Sequence, residues 1–182
     1  MSMGESSIDS GVEDSIKSLL KLMGSYAAVM TVTALAIGVL YREVSKAYLA
    51  SVPLSDAITA SYYLSVAHGH TFMAGVLIPA ALATLTYVAV KLGGELSPKS
   101  ARGAFAVYVI GSLMMLALLI YKGLGIVMTY GSNPAAGLDV ANNALFLGSH
   151  ALRESLYGAA HLLLGIGLVW YVTLLIKAFR RA

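Results

Sequence analysis

LMGSYAAVMTVTALAIGVL, residues 22–40, holds 19 residues and no charge. A helix rises about 1.5 Å per residue, so this run reaches across a hydrocarbon layer of roughly 30 Å. It closes on Tyr41-Arg42-Glu43, and it follows a polar, acidic stretch, Met1 to Ser18, that carries Glu5, Asp9, Glu13 and Asp14. A secretory signal would begin with basic residues and end at a small-residue cleavage site. The run therefore reads as a retained transmembrane span, not a leader.

Three more runs of the same kind follow, and together they set the fold class: all-α, a bundle of four transmembrane helices. The spans are expected at about 19–41, 55–91, 100–130 and 149–179. Residues 1–18 form a polar N-terminal segment, and 19–182 form one four-helix membrane domain. Ser15 or Ser18 is placed to cap the first helix. Residues 44–55 read as its connection to the second, broken near Pro53. Asp56 falls in the first turn of helix 2, where the helix dipole favours a carboxylate. Pro79 lies mid-span, where a kink is tolerated in membrane helices, and Gly93-Gly94 ends the helix. Residues 131–147, with Asn133-Pro134, Gly137 and Asn142-Asn143, read as a loop with a short helix.

Composition agrees. Of 182 residues, 58% are hydrophobic and 12% charged, against about 25% charged in soluble domains. The net charge of +3 does not indicate a nucleic-acid partner, because Lys and Arg sit at the ends of apolar runs and form no stripe. Basic residues in those places report orientation and contact with the lipid bilayer. Lys17, Lys21, Lys91, Lys99, Arg102, Lys177, Arg180 and Arg181 fall on the side of the termini, and Arg42, Lys46, Lys122 and Arg153 on the other, eight against four. The bias expects both termini in the cytoplasm, and a cell (plasma or inner) membrane as the location. With no cysteine, disulfides, thiolate metal sites and covalently attached c-type haem are excluded.

All four histidines, His68, His70, His150 and His161, fall on helices 2 and 4. Ionisable groups within spans are rare and mark function. At 1.5 Å per residue, His70 lies roughly 32 Å along its helix from Lys91, and His161 roughly 24 Å from Lys177. Tilt and the proline absorb the difference of about 8 Å. His68 lies about 35 Å along, and His150 about 40 Å, at or above the outer surface. Residues two apart on a helix diverge by about 200°, so His68 and His70 cannot face one partner. That weighs against a compact zinc site made from His68, His70 and His161.

His161 has Gly158 three residues before and Gly165 four after; His70 has Ala67 and Ala74 at the same offsets. Small residues above and below an imidazole leave a flat slot, which a porphyrin needs when two helices each give an axial ligand. His70 with His161 is thus the expected axial pair, with His68, flanked by Thr71 and Phe72, as the alternative ligand. Tyr157, four residues before His161, is placed to hydrogen-bond in the pocket. Haem propionates are anions and want cations. Arg42 and Lys122 are the expected partners, while Arg153 and Lys46 serve equally well as ordinary interfacial charges. Small-xxx-small patterns also occur at helix contacts without any cofactor.

Tyr41-Arg42-Glu43, His68-Gly69-His70 with Gly75, and Gly158-Ala159-Ala160-His161 with Gly165 and Gly167 together resemble a small prokaryotic four-helix membrane family of unknown function. The segment His68-Gly69-His70…Gly75 is also similar to the haem-ligand helix of haem–copper oxidase and nitric oxide reductase catalytic subunits. That similarity implies b-type haem ligation by His68 or His70. Those enzymes have about a dozen spans and extra histidines for a second metal. Neither feature is present here, so no oxygen or nitric oxide chemistry is implied.

The expectation is a membrane cytochrome b with one non-covalent haem b per chain, an electron carrier more than a stand-alone enzyme. Its partners would be a quinone or an outer-side redox protein. A homo-oligomer is expected through Gly24 and Gly38, and through Gly111, Gly123 and Gly125. Two rivals stay open: a histidine-based zinc or copper site for sensing or transport, using Glu43 or Glu154, and a structural or assembly subunit whose histidines bridge helices.

Overall fold

The computed structural model describes residues 6–182, with side chains from residue 11 onward. Four helices are long and apolar enough to cross a membrane, and the described residues form no strand. The chain is a multi-pass, four-helix bundle.

The first helix, α1, spans Ser6–Leu49, well beyond the expected 19–41 at both ends. Its early turns are held by the Lys17–Glu13 pair at 3.0 Å and by Arg102, which donates to the Ser15 carbonyl at 3.2 Å. Ile16 and Leu19 are buried there. Polar flanks end an apolar count but do not end a helix, which is why the sequence reading stopped short. Ser15 is not a cap; its hydroxyl donates back to the Gly11 carbonyl at 2.8 Å.

After a short turn at Pro53, α2 runs over Leu54–Phe72 and continues through a π-helical turn, Met73–Leu77, into α3, Ile78–Lys91. Pro79, buried in the first turn of α3, has no N–H for the carbonyl four residues before it. The helix absorbs that loss in the wider π turn. The irregularity therefore falls just before the proline. Helix α4 spans Pro98–Ser132, with the Ser97 hydroxyl accepting from the Ser100 N–H at 3.4 Å. The loop after it contains 3-10 turns at Pro134–Ala136 and Phe146–Gly148 around a short helix, α5, Leu138–Asn143. Helix α6 spans His150–Phe179 and is capped by Ser149, whose hydroxyl accepts from the Leu152 N–H at 3.2 Å.

Helix α4 is the centre of the bundle. Its Gly111 lies against α6, where an added methyl would sit 2.8 Å from the Leu164 Cα and 2.9 Å from the Ala160 carbonyl oxygen. Gly167 of α6 answers it, at 2.6 Å from the Tyr108 Cα and 2.8 Å from the Ala104 carbonyl oxygen. Backbones this close depend on residues without side chains. Helices α1 and α2 pack on α4 and on each other. Towards the end that carries the termini, α3 leaves α4 and reaches α6, where Thr86 and Tyr171 share a hydrogen bond of 2.8 Å. Leu19, Met23, Leu82, Phe105, Tyr108, Tyr171 and Leu175 fill the core of this terminal half. In the distal half α2 and α6 stay apart, with α4 between them. Apolar side chains such as Val29, Val32, Leu35, Leu162, Ile166 and Val169 point outward, as a lipid-facing surface requires.

Candidate functional site: a groove between two histidine helices

Two helix faces define the site. On α2 the buried line is Leu64, Ala67 and Thr71. Each residue advances about 100°, so His68 and His70 leave that line on opposite flanks. His68 turns to α1: its Nδ1 lies 2.8 Å from the Ala34 carbonyl oxygen, and its ring is 3.2 Å from where a methyl on Gly38 would stand. His70 leaves on the other flank and borders a small cavity lined by Met30 of α1, by Thr71 and Ala74, and by Ser112, Met115 and Leu116 of α4.

On α6 the buried line includes Ala160, Gly167 and Tyr171. Trp170 leaves it on one flank and covers Gly103 of α4 at 3.3 Å; His161 leaves it on the other. Gly103 and Ser112 project from opposite sides of the α4 line Ala104–Tyr108–Gly111 that meets α6. Ser112 accepts from the Tyr26 hydroxyl of α1 at 3.3 Å and lines the cavity beside His70, so His161 lies on the flank of α6 that faces this side of α4. Both imidazoles are thus exposed on flanks of α2 and α6 that lie to the same side of α4.

They also share a level. Ala160 and Leu164 pack on Gly111, while His70 lies beside Ser112 and Met115, roughly one turn away along the same helix. The offset expected from chain length alone has been taken up by the course of α2.

Each ring is held in the same way. Nδ1 of His70 lies 3.1 Å from the Val66 carbonyl oxygen, and Nδ1 of His161 lies 2.9 Å from that of Tyr157. A carbonyl only accepts, so Nδ1–H donates in each ring and Nε2 points away from that bond. This is the arrangement that fixes the tautomer of metal-ligating histidines. Both residues are exposed in the single chain. Methyls added at Gly158 or Gly165 would meet nothing, so the small-residue lane beside His161 is open space, and Ala74 lines the cavity beside His70.

The remaining expected residues divide. Lys122 is buried, 6% exposed, with its Nζ 3.8 Å above the ring of Tyr63 from α2. Tyr157 donates to the Leu118 carbonyl oxygen at 3.1 Å, tying α6 to α4. Arg153 is 15% exposed, its Nε 3.6 Å from Glu154. Arg42 stands apart, 68% exposed and 2.6 Å from Glu43, which also lies 3.8 Å from Lys46. His150 is exposed, 3.7 Å from Glu154. Among the described residues no three His, Asp or Glu side chains converge on a metal position. Tyr63, Ser112 and Met115 were missed in the sequence, because each reads there as ordinary belt or packing.

Fold and spans define a multi-pass membrane protein with its histidines in the distal half of the bundle. Residues 20–178 match the family described as protein of unknown function (DUF2871), and the chain belongs to it. No curated protein and no solved structure matches the chain.

Proposed function

We propose that the groove between α2 and α6 holds one haem b, with Nε2 of His70 and Nε2 of His161 as its axial ligands, in a membrane electron carrier. The observation that carries this reading is the matched pair of imidazoles. They come from separate spans, lie on one turn of α4 and to the same side of it, and each has Nδ1 committed to a carbonyl. Haem b supplies one-electron transfer when bound. Val66 and Tyr157 would orient the ligand rings through their carbonyls, and Gly158, Gly165 and Ala74 leave room for the ring plane. Apolar Met115 and Leu116 would keep water from the groove floor. Two histidines would fill both axial positions, so the residues favour electron transfer, with a quinone or a redox protein as partner, over catalysis on a small gas. The similarity of the His68-Gly69-His70 segment to haem-ligand helices adds support, and His70 is preferred to His68 because the His68 ring packs against Ala34 and Gly38 of α1, away from α6.

The test is a spectrum of the purified, haem-supplied protein, oxidised and dithionite-reduced. Low-spin Soret and α bands are expected, lost in both His70→Ala and His161→Ala. A protein that stays colourless with haem, or whose bands survive both substitutions, would end the proposal. The non-cofactor reading has one specific observation in its favour, the His68 bridge between α1 and α2.

A further inference from the structure

Lys122 is unusual for its surroundings. It is buried in the distal half of the bundle, and among the described residues it has no ion pair and no hydrogen-bond partner, only the Tyr63 ring. An isolated ammonium in a low-dielectric interior is costly unless something anionic meets it. A cation–π contact repays only part of that cost.

Register supplies a second cation. The Tyr157 hydroxyl bonds the Leu118 carbonyl, which fixes antiparallel α4 and α6 against each other. One turn further from the termini, α4 presents Lys122 and α6 presents Arg153. Both stand distal to the level of His161, on the lines along which α4 and α6 face each other, with Lys122 reaching the Tyr63 ring of α2. Tyr63 and Tyr157 stand beside them, and Phe146 closes the wall, its ring 6.1 Å from that of Tyr157. Among the described residues, Glu154 is the one carboxylate paired with Arg153. It meets Nε alone at 3.6 Å and is itself largely exposed, shared with His150. A mostly covered guanidinium and a buried ammonium thus stand distal to His161 with no buried acid, among the described residues, to neutralise them.

We infer that Lys122 and Arg153 form a carboxylate-binding site at the distal end of the groove, which anchors the acid groups of an amphiphilic ligand lying along it. This rests on the groove reading above but not on iron. Arg153 offers the forked donors that match a carboxylate, and Lys122 a point charge. The pair also takes over the role expected of Arg42, which Glu43 already occupies. The carboxylate could come from a porphyrin propionate or from a fatty acid, and the probes separate the two.

Trp170 fluorescence in detergent-solubilised full-length protein would follow binding of metal-free protoporphyrin IX, its dimethyl ester and palmitate. Protoporphyrin IX is expected to bind, and Lys122→Met to weaken it about tenfold or more, the loss of a charge-assisted bond. The ester should be indifferent to the substitution, and Lys122→Arg should restore most of the affinity. Arg153→Gln should act in the same direction. Because Lys122→Met removes a buried charge, it should fold; a circular dichroism melt would confirm that, and Arg153→Gln gives the same readout near the surface. Palmitate binding with no porphyrin binding would assign the site to fatty acids and keep it. The inference is overturned if no carboxylate probe binds, or if acid and ester lose affinity equally in Lys122→Met. Diacid binding without low-spin haem bands would sink the cytochrome reading alone.

Discussion

Gly111→Ala should loosen the bundle although alanine is the better helix former. A methyl at residue 111 would stand 2.8 Å from the Leu164 Cα and 2.9 Å from the Ala160 carbonyl oxygen. Both obstacles are backbone, so no rotamer change relieves the contact. Helices α4 and α6 must separate by several tenths of an ångström, along the interface that also carries Gly167, Tyr157 and Ala160. Overpacking of this kind costs about 1–3 kcal/mol, and the Gly-to-Ala gain in helix propensity returns up to about 1 kcal/mol. The net is a loss of up to about 2 kcal/mol, expected towards the upper end because both obstacles are backbone. Gly165→Ala is the control. It makes the same chemical change on α6 where a methyl meets nothing, so it should be neutral or stabilise by up to about 1 kcal/mol. Reversible unfolding in mixed micelles, followed by circular dichroism against denaturing detergent, measures both. Equal losses in the two variants, or no loss in Gly111→Ala, would refute the claim that backbone contact at Gly111 sets the α4–α6 distance.

Three other outcomes are expected. Gly165→Leu should unfold like the parent yet lose haem, since it fills the open lane beside His161 without touching the core; retained low-spin bands would show that the lane holds nothing. Tyr171→Phe should cost about 1 kcal/mol of stability by removing the buried bond to Thr86, measured in the same unfolding assay, with an unchanged spectrum. His68→Ala should lower stability by about 0.6–1.7 kcal/mol, the range of interhelical bonds in membranes, and leave haem content intact. Haem loss in His68→Ala at normal stability would transfer the ligand role from His70.

Four spans were legible because bilayer thickness converts directly into a count of apolar residues. So was the divergence of His68 from His70, which follows from helical periodicity alone. Helix ends were less legible: α1 continues through Glu13 and Lys17 into water, where hydropathy says nothing about backbone conformation. The proline at residue 79 announced an irregularity, but its form, a π turn at Met73–Leu77, depended on how α2 must leave α4 and reach α6 at Thr86 and Tyr171.

What the amino-acid order determined by itself is therefore what local spacing and the bilayer impose: four helices, antiparallel, with histidines in two of them and small residues beside His161. Only the tertiary structure decided which neighbours those side chains have. It gave His68 to the Ala34 carbonyl, turned His70 and His161 to the same side of α4, set Lys122 against the Tyr63 ring, and left Arg42 with Glu43. The physical reason is that a residue's angle on its own helix is fixed by 3.6 residues per turn. Its partner is fixed by helix–helix contacts, and here those turn on glycines such as Gly111 and Gly167, whose role appears only once the opposing backbone is in place.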